Sequence, residues 1–136
     1  MILDFNKMPT LTWANFRGGE KDTAVRMYKD TDNRIMFMKL EPGASIGYHR
    51  HEDCSEIMYI LQGVASAVYD GVEEELQAGM CGYCPKGHSH GVANKGEEDL
   101  VFFSVVSEHG MPGGTQEERS RGQNADESKK KKEDTL

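Results

Sequence analysis

The sequence predicts an all-β domain whose antiparallel strands close as a jelly roll or small barrel. Three observations carry that expectation. Apolar residues between positions 24 and 106 come in short runs, turn-forming residues cut those runs, and no run has the length of a helix. Short connections make neighbouring strands antiparallel, because a parallel pair needs a crossover of roughly a dozen residues or more.

In chain order the runs are AVRMY (24–28), RIMFMKL (34–40), ASIGYHRH (44–51), SEIMYIL (55–61), VASAVY (64–69), MCGYC (80–84), GVANK (91–95) and LVFFSVV (100–106), about eight strands. The breaks have turn chemistry. Asp30 to Asn33 is a polar loop, Glu41-Pro42-Gly43 and Gln62-Gly63 are turns, and Asp70-Gly71 is a tight hairpin turn. Around Leu11 to Phe16 the pattern fits either a turn of helix or an extra edge strand. These readings divide the 136 residues into an N-terminal arm (1–22), one barrel domain (23–110) and a polar tail (111–136).

From Thr115 to Leu136, six acidic and six basic side chains stand almost without apolar ones. Such a segment has too little surface to bury to offset the entropy of ordering, so the C-terminal tail is expected to be disordered. Lys129 to Lys132 are followed at once by Glu133 and Asp134, which makes the run a solvated stretch rather than a membrane or RNA contact.

Composition excludes several partners. A formal charge of −7 does not suit a nucleic-acid binder, which needs a basic face to displace counterions from phosphates. No apolar stretch approaches the roughly 20 residues of a membrane span. The first residues carry Asp4 and no basic start before an apolar run, so no secretory signal is visible and a cytoplasmic protein is expected. Cys54, Cys81 and Cys84 cannot all pair within the chain, and reduced thiols fit that compartment. Cys81 and Cys84, three apart on a strand, face opposite sides and read as packing residues, and Cys54 reads as an ordinary loop thiol. A small-molecule ligand remains as the partner.

Four of the five histidines fall in two tight groups, His49 with His51 and His88 with His90. Two apart on a strand, His49 and His51 point to one face. Glu56 follows after a four-residue link, Glu52 to Ser55, which lets the next strand turn back and bring its carboxylate to that face. Strand parity adds Met58 and Ile60 from Glu56, and Gly47 and Ser45 from His49. On the last strand, either Leu100, Phe102 and Ser104 or Val101, Phe103 and Val105 face inward. His109, with no suitably spaced partner, reads as a loop residue.

The punctuation around these histidines resembles the two signature motifs of the cupin superfamily. The first is Gly43, five residues, His49, one, His51, four, Glu56, six, Gly63; the second is Gly79, five, Pro85, one, Gly87, two, His90, three, Asn94. Every defining position is filled. Fifteen residues, Val64 to Ala78, separate the motifs, which resembles the compact single-domain form of the family. The resemblance implies a cupin-type jelly-roll barrel, or double-stranded β-helix, with His49, His51, Glu56 and His90 as ligands of one divalent transition metal per chain (Mn, Fe, Zn, Ni or Co). Three nitrogens and one oxygen leave one or two coordination positions open.

The resemblance does not name a reaction, because the fold hosts many. It implies a metal-dependent enzyme acting on a small oxygen-rich metabolite, such as a sugar, a sugar acid or another carboxylate, by isomerase, oxygenase or decarboxylase chemistry. The alternative is a non-enzymatic metal-dependent binding or sensor protein, and a third reading gives the metal only a stabilising role. Cupin lyases tend to supply a pocket tyrosine, whereas the inward place two after Glu56 is Met58. Tyr59, Tyr48 or Tyr83 enter the pocket only if local twist upsets the parity count. Cupins resembling thiol dioxygenases usually lack the ligand carboxylate, so Glu56 argues against them. His88, Met58, Tyr59 and Tyr83 are thus candidates for the pocket wall. A homodimer is expected by the same resemblance, with Trp13, Phe16, Val25 and Met27 available to take part.

Overall fold

A computed structural model describes residues 1–109. The chain runs through ten strands: β1 (Leu11–Ala14), β2 (Asp22–Lys29), β3 (Asn33–Leu40), β4 (Ser45–Arg50), β5 (Cys54–Gln62), β6 (Val64–Tyr69), β7 (Val72–Gln77), β8 (Cys81–Cys84), β9 (Ser89–Ala93) and β10 (Leu100–Glu108). They form a six-stranded sheet, β1-β2-β3-β10-β5-β8, and a four-stranded sheet, β4-β9-β6-β7, each antiparallel throughout. This is the all-β jelly roll the sequence predicts. The predicted tail, with Lys129 to Lys132, lies outside the described residues. Among those residues no helix is long and apolar enough to cross a membrane.

All eight predicted runs form strands, with ends within two residues of expectation. Two further strands correct the count. β7, with sequence VEEELQ, buries only Leu76 and pairs with β6 across the Asp70-Gly71 turn; an edge strand of this kind needs no apolar run. The Leu11 to Phe16 segment forms both alternatives in succession, β1 and then a 3₁₀ turn over Phe16–Gly18. β1 pairs with β2, so the N-terminal residues extend the larger sheet.

The core lies between the sheets. β10 alternates strictly, burying Leu100, Phe102, Ser104 and Val106, which settles its inward face. Phe102 stands between Met38 of β3 and Ile60 of β5, all three essentially without solvent contact. Met58 and Ile60 are buried as strand parity requires. Of the residues offered for dimer contacts, Val25 is fully buried, and Trp13, Phe16 and Met27 are partly buried against the core.

One parity expectation fails on a backbone irregularity. β4 pairs Ile46 with Val92 but His49 with His90, so it holds one more residue than its partner over this stretch. Such a bulge shifts the alternation by one. Ile46, rather than Ser45 or Gly47, therefore faces inward together with His49. Gly91 lies opposite the bulge, where a Cβ would press on the backbone of Tyr48.

Asn94 ties the end of β9 to its surroundings. Its buried amide donates to the carbonyls of Leu40 and Glu98, each at 2.8 Å, and its Oδ1 accepts from the Gly96 N–H at 3.0 Å. Its backbone exchanges bonds with Gly43 and Ala44. Replacing Asn94 by Ala leaves the Leu40 carbonyl buried without this donor. The expected loss is about 2–3 kcal/mol of unfolding free energy, read as a lowered denaturation midpoint at unchanged slope.

Candidate metal centre

The site forms where the ends of the two sheets approach. In the larger sheet, cross-strand pairing sets Arg34 beside Val106, Val106 beside Glu56 and Glu56 beside Cys84 in one inward-facing row. In the smaller sheet, His49 of β4 stands opposite His90 of β9. His51 follows β4, and its backbone N–H donates to the His88 carbonyl while its own carbonyl accepts from the Gly87 N–H. Two backbone bonds thus lock the segment carrying His51 to the Pro85–Gly87 turn that presents His90.

Three imidazoles and one carboxylate converge here. Nε2 of His51 lies 3.1 Å from Nε2 of His49, 2.9 Å from Nε2 of His90 and 3.2 Å from Oε1 of Glu56, and Nε2 of His90 lies 2.9 Å from the same oxygen. All four donor atoms fall within 4.8 Å of one another, an arrangement that can hold a divalent metal. His51, Glu56 and His90 are buried and His49 is partly so.

The surroundings aim these groups. Nδ1–H of His49 donates to the Gly47 carbonyl at 2.7 Å, which leaves the Nε2 lone pair facing the cluster. Nδ1 of His51 lies 3.0 Å from Sγ of Cys54. The Ser104 hydroxyl donates to Oε2 of Glu56. Burial lowers the His49 pKa to about 4, only partly opposed by its bond to Gly47. Burial alone would raise the Glu56 pKa, but hydrogen bonds from His51 and His90 and the charge of those rings hold it well below the usual carboxylate range. The cluster therefore presents a carboxylate and an uncharged His49 near neutral pH, the forms that ligate metals.

The four predicted ligands come together; the other candidates divide. Met58 lines the cavity beside them. Tyr48, Tyr59 and Tyr83 do not, being 52%, 44% and 57% exposed on the outer faces. His88 turns to the rim, where its ring stacks on Tyr69 and pairs with Asp70. The backbone N–H of Ser89, and then His88, lower the Asp70 pKa. His109 does have a partner, the Ser55 hydroxyl at 2.7 Å. Cys84 is buried, which raises its thiol to about 11, and Cys81 is exposed, so only the former packs. Cys54 and Ser104 are the contacts sequence reading missed. Cys54 was legible by its place between two candidate ligands, whereas Ser104 reaches Glu56 only through the β5–β10 register.

The cavity over the cluster has a volume of about 40 Å³. Methionines, Ile46, Val92 and Val106 make most of its wall, with Trp13, Phe16 and Arg17 contributed by the N-terminal segment and Arg34 by β3. The rings of Trp13 and Phe16 contact each other at 4.6 Å between centroids.

Residues 36–106 match the cupin domain family model, Cupin_2. The chain is a cupin. It is 41% identical over 99 residues to a Thermotoga maritima protein named oxalate-binding protein, a match covering 68% of this chain and 82% of that one. Among solved structures, this cupin is similar to a T. maritima protein described as a predicted oxalate decarboxylase, with a TM-score of 0.75 and 30% identity over 79% of this chain and 99% of that one. It is also similar to KdgF from Halomonas sp., with a TM-score of 0.58 and 25% identity over 64% and 79% of the two chains.

Ser104 gives a test of how the cupin centre is held. Ser104→Ala removes a donor from a buried carboxylate. The expected loss is about 1–3 kcal/mol, measured by denaturant unfolding of metal-free protein. An unchanged midpoint would show that the hydroxyl contributes nothing to holding Glu56.

Proposed function

We propose that His49, His51, Glu56 and His90 hold one divalent transition metal and that this cupin binds a small carboxylate at the metal's open positions. Donor spacing carries the metal assignment. Ligand atoms about 2.1 Å from an ion lie about 3.0 Å apart at right angles and about 3.4 Å apart at tetrahedral angles. The separations of 2.9, 3.1 and 3.2 Å lie in the range of both, so the donors sit where one ion can gather them. Three nitrogens and one carboxylate oxygen suit first-row ions such as Mn(II), Fe(II), Co(II), Ni(II) or Zn(II), and four protein donors leave one or two positions for a ligand. When bound, the metal supplies a Lewis acid that attracts carboxylate oxygen.

The ligand class follows from size and charge. The cavity is small, which suits a ligand of few heavy atoms. Arg17 and Arg34 line an otherwise largely apolar wall, and a guanidinium pairs well with carboxylate. The oxalate-binding name of the T. maritima relative supports the same class. Binding is favoured over turnover because, among the described residues, the wall carries no proton-transferring side chain beyond the four donors. The three free cysteines fit a reducing, cytoplasmic setting.

Protein purified without chelator is expected to carry about one metal ion per chain by elemental analysis. His90→Ala is expected to lower that occupancy at least tenfold at limiting metal, and unchanged stoichiometry would remove His90 from the ligand set. Metal-loaded protein is expected to bind oxalate in calorimetry without releasing carbon dioxide. Sustained release would instead establish a decarboxylase.

A second copy is the proposed protein partner. The outer face of the larger sheet exposes Ile57, Tyr59 and Leu61 of β5 beside Tyr83 of β8, an apolar strip continuous with Phe37 and Phe103, which Phe5 partly covers. Such a strip fits a self-complementary interface. Light scattering is expected to give twice the chain mass of 15.2 kDa, and Tyr59→Glu to give the single-chain mass. A wild-type mass of one chain would exclude this pairing.

A further inference from the structure

His51 and His90 both depend on the stretch of chain between Pro85 and Ser89. His51 lies beyond the last residue of β4, and its backbone N–H donates to the His88 carbonyl at 2.9 Å while its carbonyl accepts from the Gly87 N–H at 2.6 Å. Where His51 sits therefore follows from where residues 87 and 88 sit. β9 begins only at Ser89 and carries His90 as its second residue. The pairing of β6 with β9 ends at Tyr69 opposite His90, which leaves His88 outside that ladder.

Asp70 continues the hold where the ladder runs out. Its backbone N–H donates to the Ser89 carbonyl at 2.9 Å, its Oδ1 accepts from the Ser89 N–H at 2.9 Å, and its Oδ2 accepts from Nδ1–H of His88 at 2.5 Å. The His88 ring also stacks on Tyr69, with 5.7 Å between centroids and 11° between planes. One residue thus grips both positions that precede His90. His88 passes the grip across to the other sheet strand, since its carbonyl is the acceptor for the His51 N–H. Hydrogen bonds to an ionised carboxylate are stronger than those between neutral groups.

The turn that carries Asp70 does not itself call for a carboxylate. Asp70 and Gly71 have φ of 46° and 81°, the left-handed pair of a two-residue hairpin turn, which Asp-Gly, Asn-Gly and Gly-Gly all suit. Substitution by Asn or Gly therefore separates the turn from the bonds the side chain makes. Asp70 is also outside the cavity wall, so it reaches the ligands either through His88 and Ser89 or as a charge at a distance.

We propose that Asp70 is a positioning residue of the metal centre: by holding His88 and Ser89 it fixes the backbone that places His51 and His90 around the ion. This rests on the metal reading given above. The bonds, and not the charge, carry the effect.

The test uses full-length wild-type, Asp70→Gly and Asp70→Asn proteins. Metal affinity is measured by titration with Mn(II), read as the free ion by electron paramagnetic resonance, and with Zn(II) by calorimetry; amide hydrogen exchange is followed on the metal-free proteins. Asp70→Gly keeps the turn and loses both side-chain bonds. It is expected to bind either ion about tenfold more weakly and to exchange the His51 N–H about tenfold faster, with the amides of β10 unchanged. Asn at 70 still offers an oxygen to the Ser89 N–H and an amide hydrogen to the His88 ring nitrogen, so Asp70→Asn is expected to stay closer to wild type in both readouts. Equal weakening in the two variants would assign the effect to charge and overturn the proposal. Unchanged metal affinity in Asp70→Gly, or faster exchange that extends to β10, would leave Asp70 a residue of the turn or of general stability and would overturn it as well. Wild-type protein that binds neither Mn(II) nor Zn(II) overturns the metal reading and this assignment together, a result distinct from weakened binding in the variant alone.

Discussion

Burial of the Glu56 carboxylate is the constraint on which the rest of the site depends. A carboxylate removed from water is very unfavourable unless charge and hydrogen bonds replace its hydration. Here the replacements come from separate parts of the chain: the His51 ring after β4, the His90 ring on β9 and the Ser104 hydroxyl on β10. His51 is near Glu56 in sequence, but His90 and Ser104 are far from it. The β5–β10 register, the bulge in β4 and the bonds tying His51 to the Pro85–Gly87 turn must all be correct for the charge to be compensated. The same convergence makes the cluster suited to a cation, which would neutralise the carboxylate and accept all three imidazole lone pairs.

Coupling of this kind explains which features were legible in the sequence. His49, His51, Glu56 and His90 could be grouped because alternation along a strand and the spacing of two complete motifs are one-dimensional signals. Eight strands could be read because each buries one face and so carries an apolar run. β7 could not, since as an edge strand it buries little beyond Leu76. Ile46 was misplaced for a related reason. A bulge is a property of pairing between two strands, and nothing in Ser45 to His49 announces that Gly91 lies opposite. Tyr59 and Tyr83 obey simple alternation from Glu56 and the β5–β8 pairing, and they point outward accordingly.

The N-terminal segment shows the limit of strand-pattern reading most clearly. As composition, Leu11 to Lys21 offers a weak apolar signal and two adjacent glycines. As structure, it supplies a strand, a turn and the roof of the cavity. The deciding feature is the pairing of Gly19 with β4 and of Gly47 with the turn, a tertiary contact between residues far apart in the chain. Glycine there allows backbones to meet, and the flexibility usually associated with it is removed by packing on both sides.

A fixed roof also bears on how the cavity works. Apolar walls and little space for water keep the local dielectric low, which strengthens interactions among the few charged groups that remain. In so small a space a ligand has few orientations open to it. If the roof were mobile, ordering it on each binding event would weaken affinity. Holding Asn15, Arg17 and Lys21 in left-handed backbone by contacts already made in the free protein avoids that loss. Strain in the turn and rigidity in the barrel are thus two parts of one arrangement: the sheets fix the donors below, and Gly47 of β4 with Gly19 of the turn lets the N-terminal segment be fixed above.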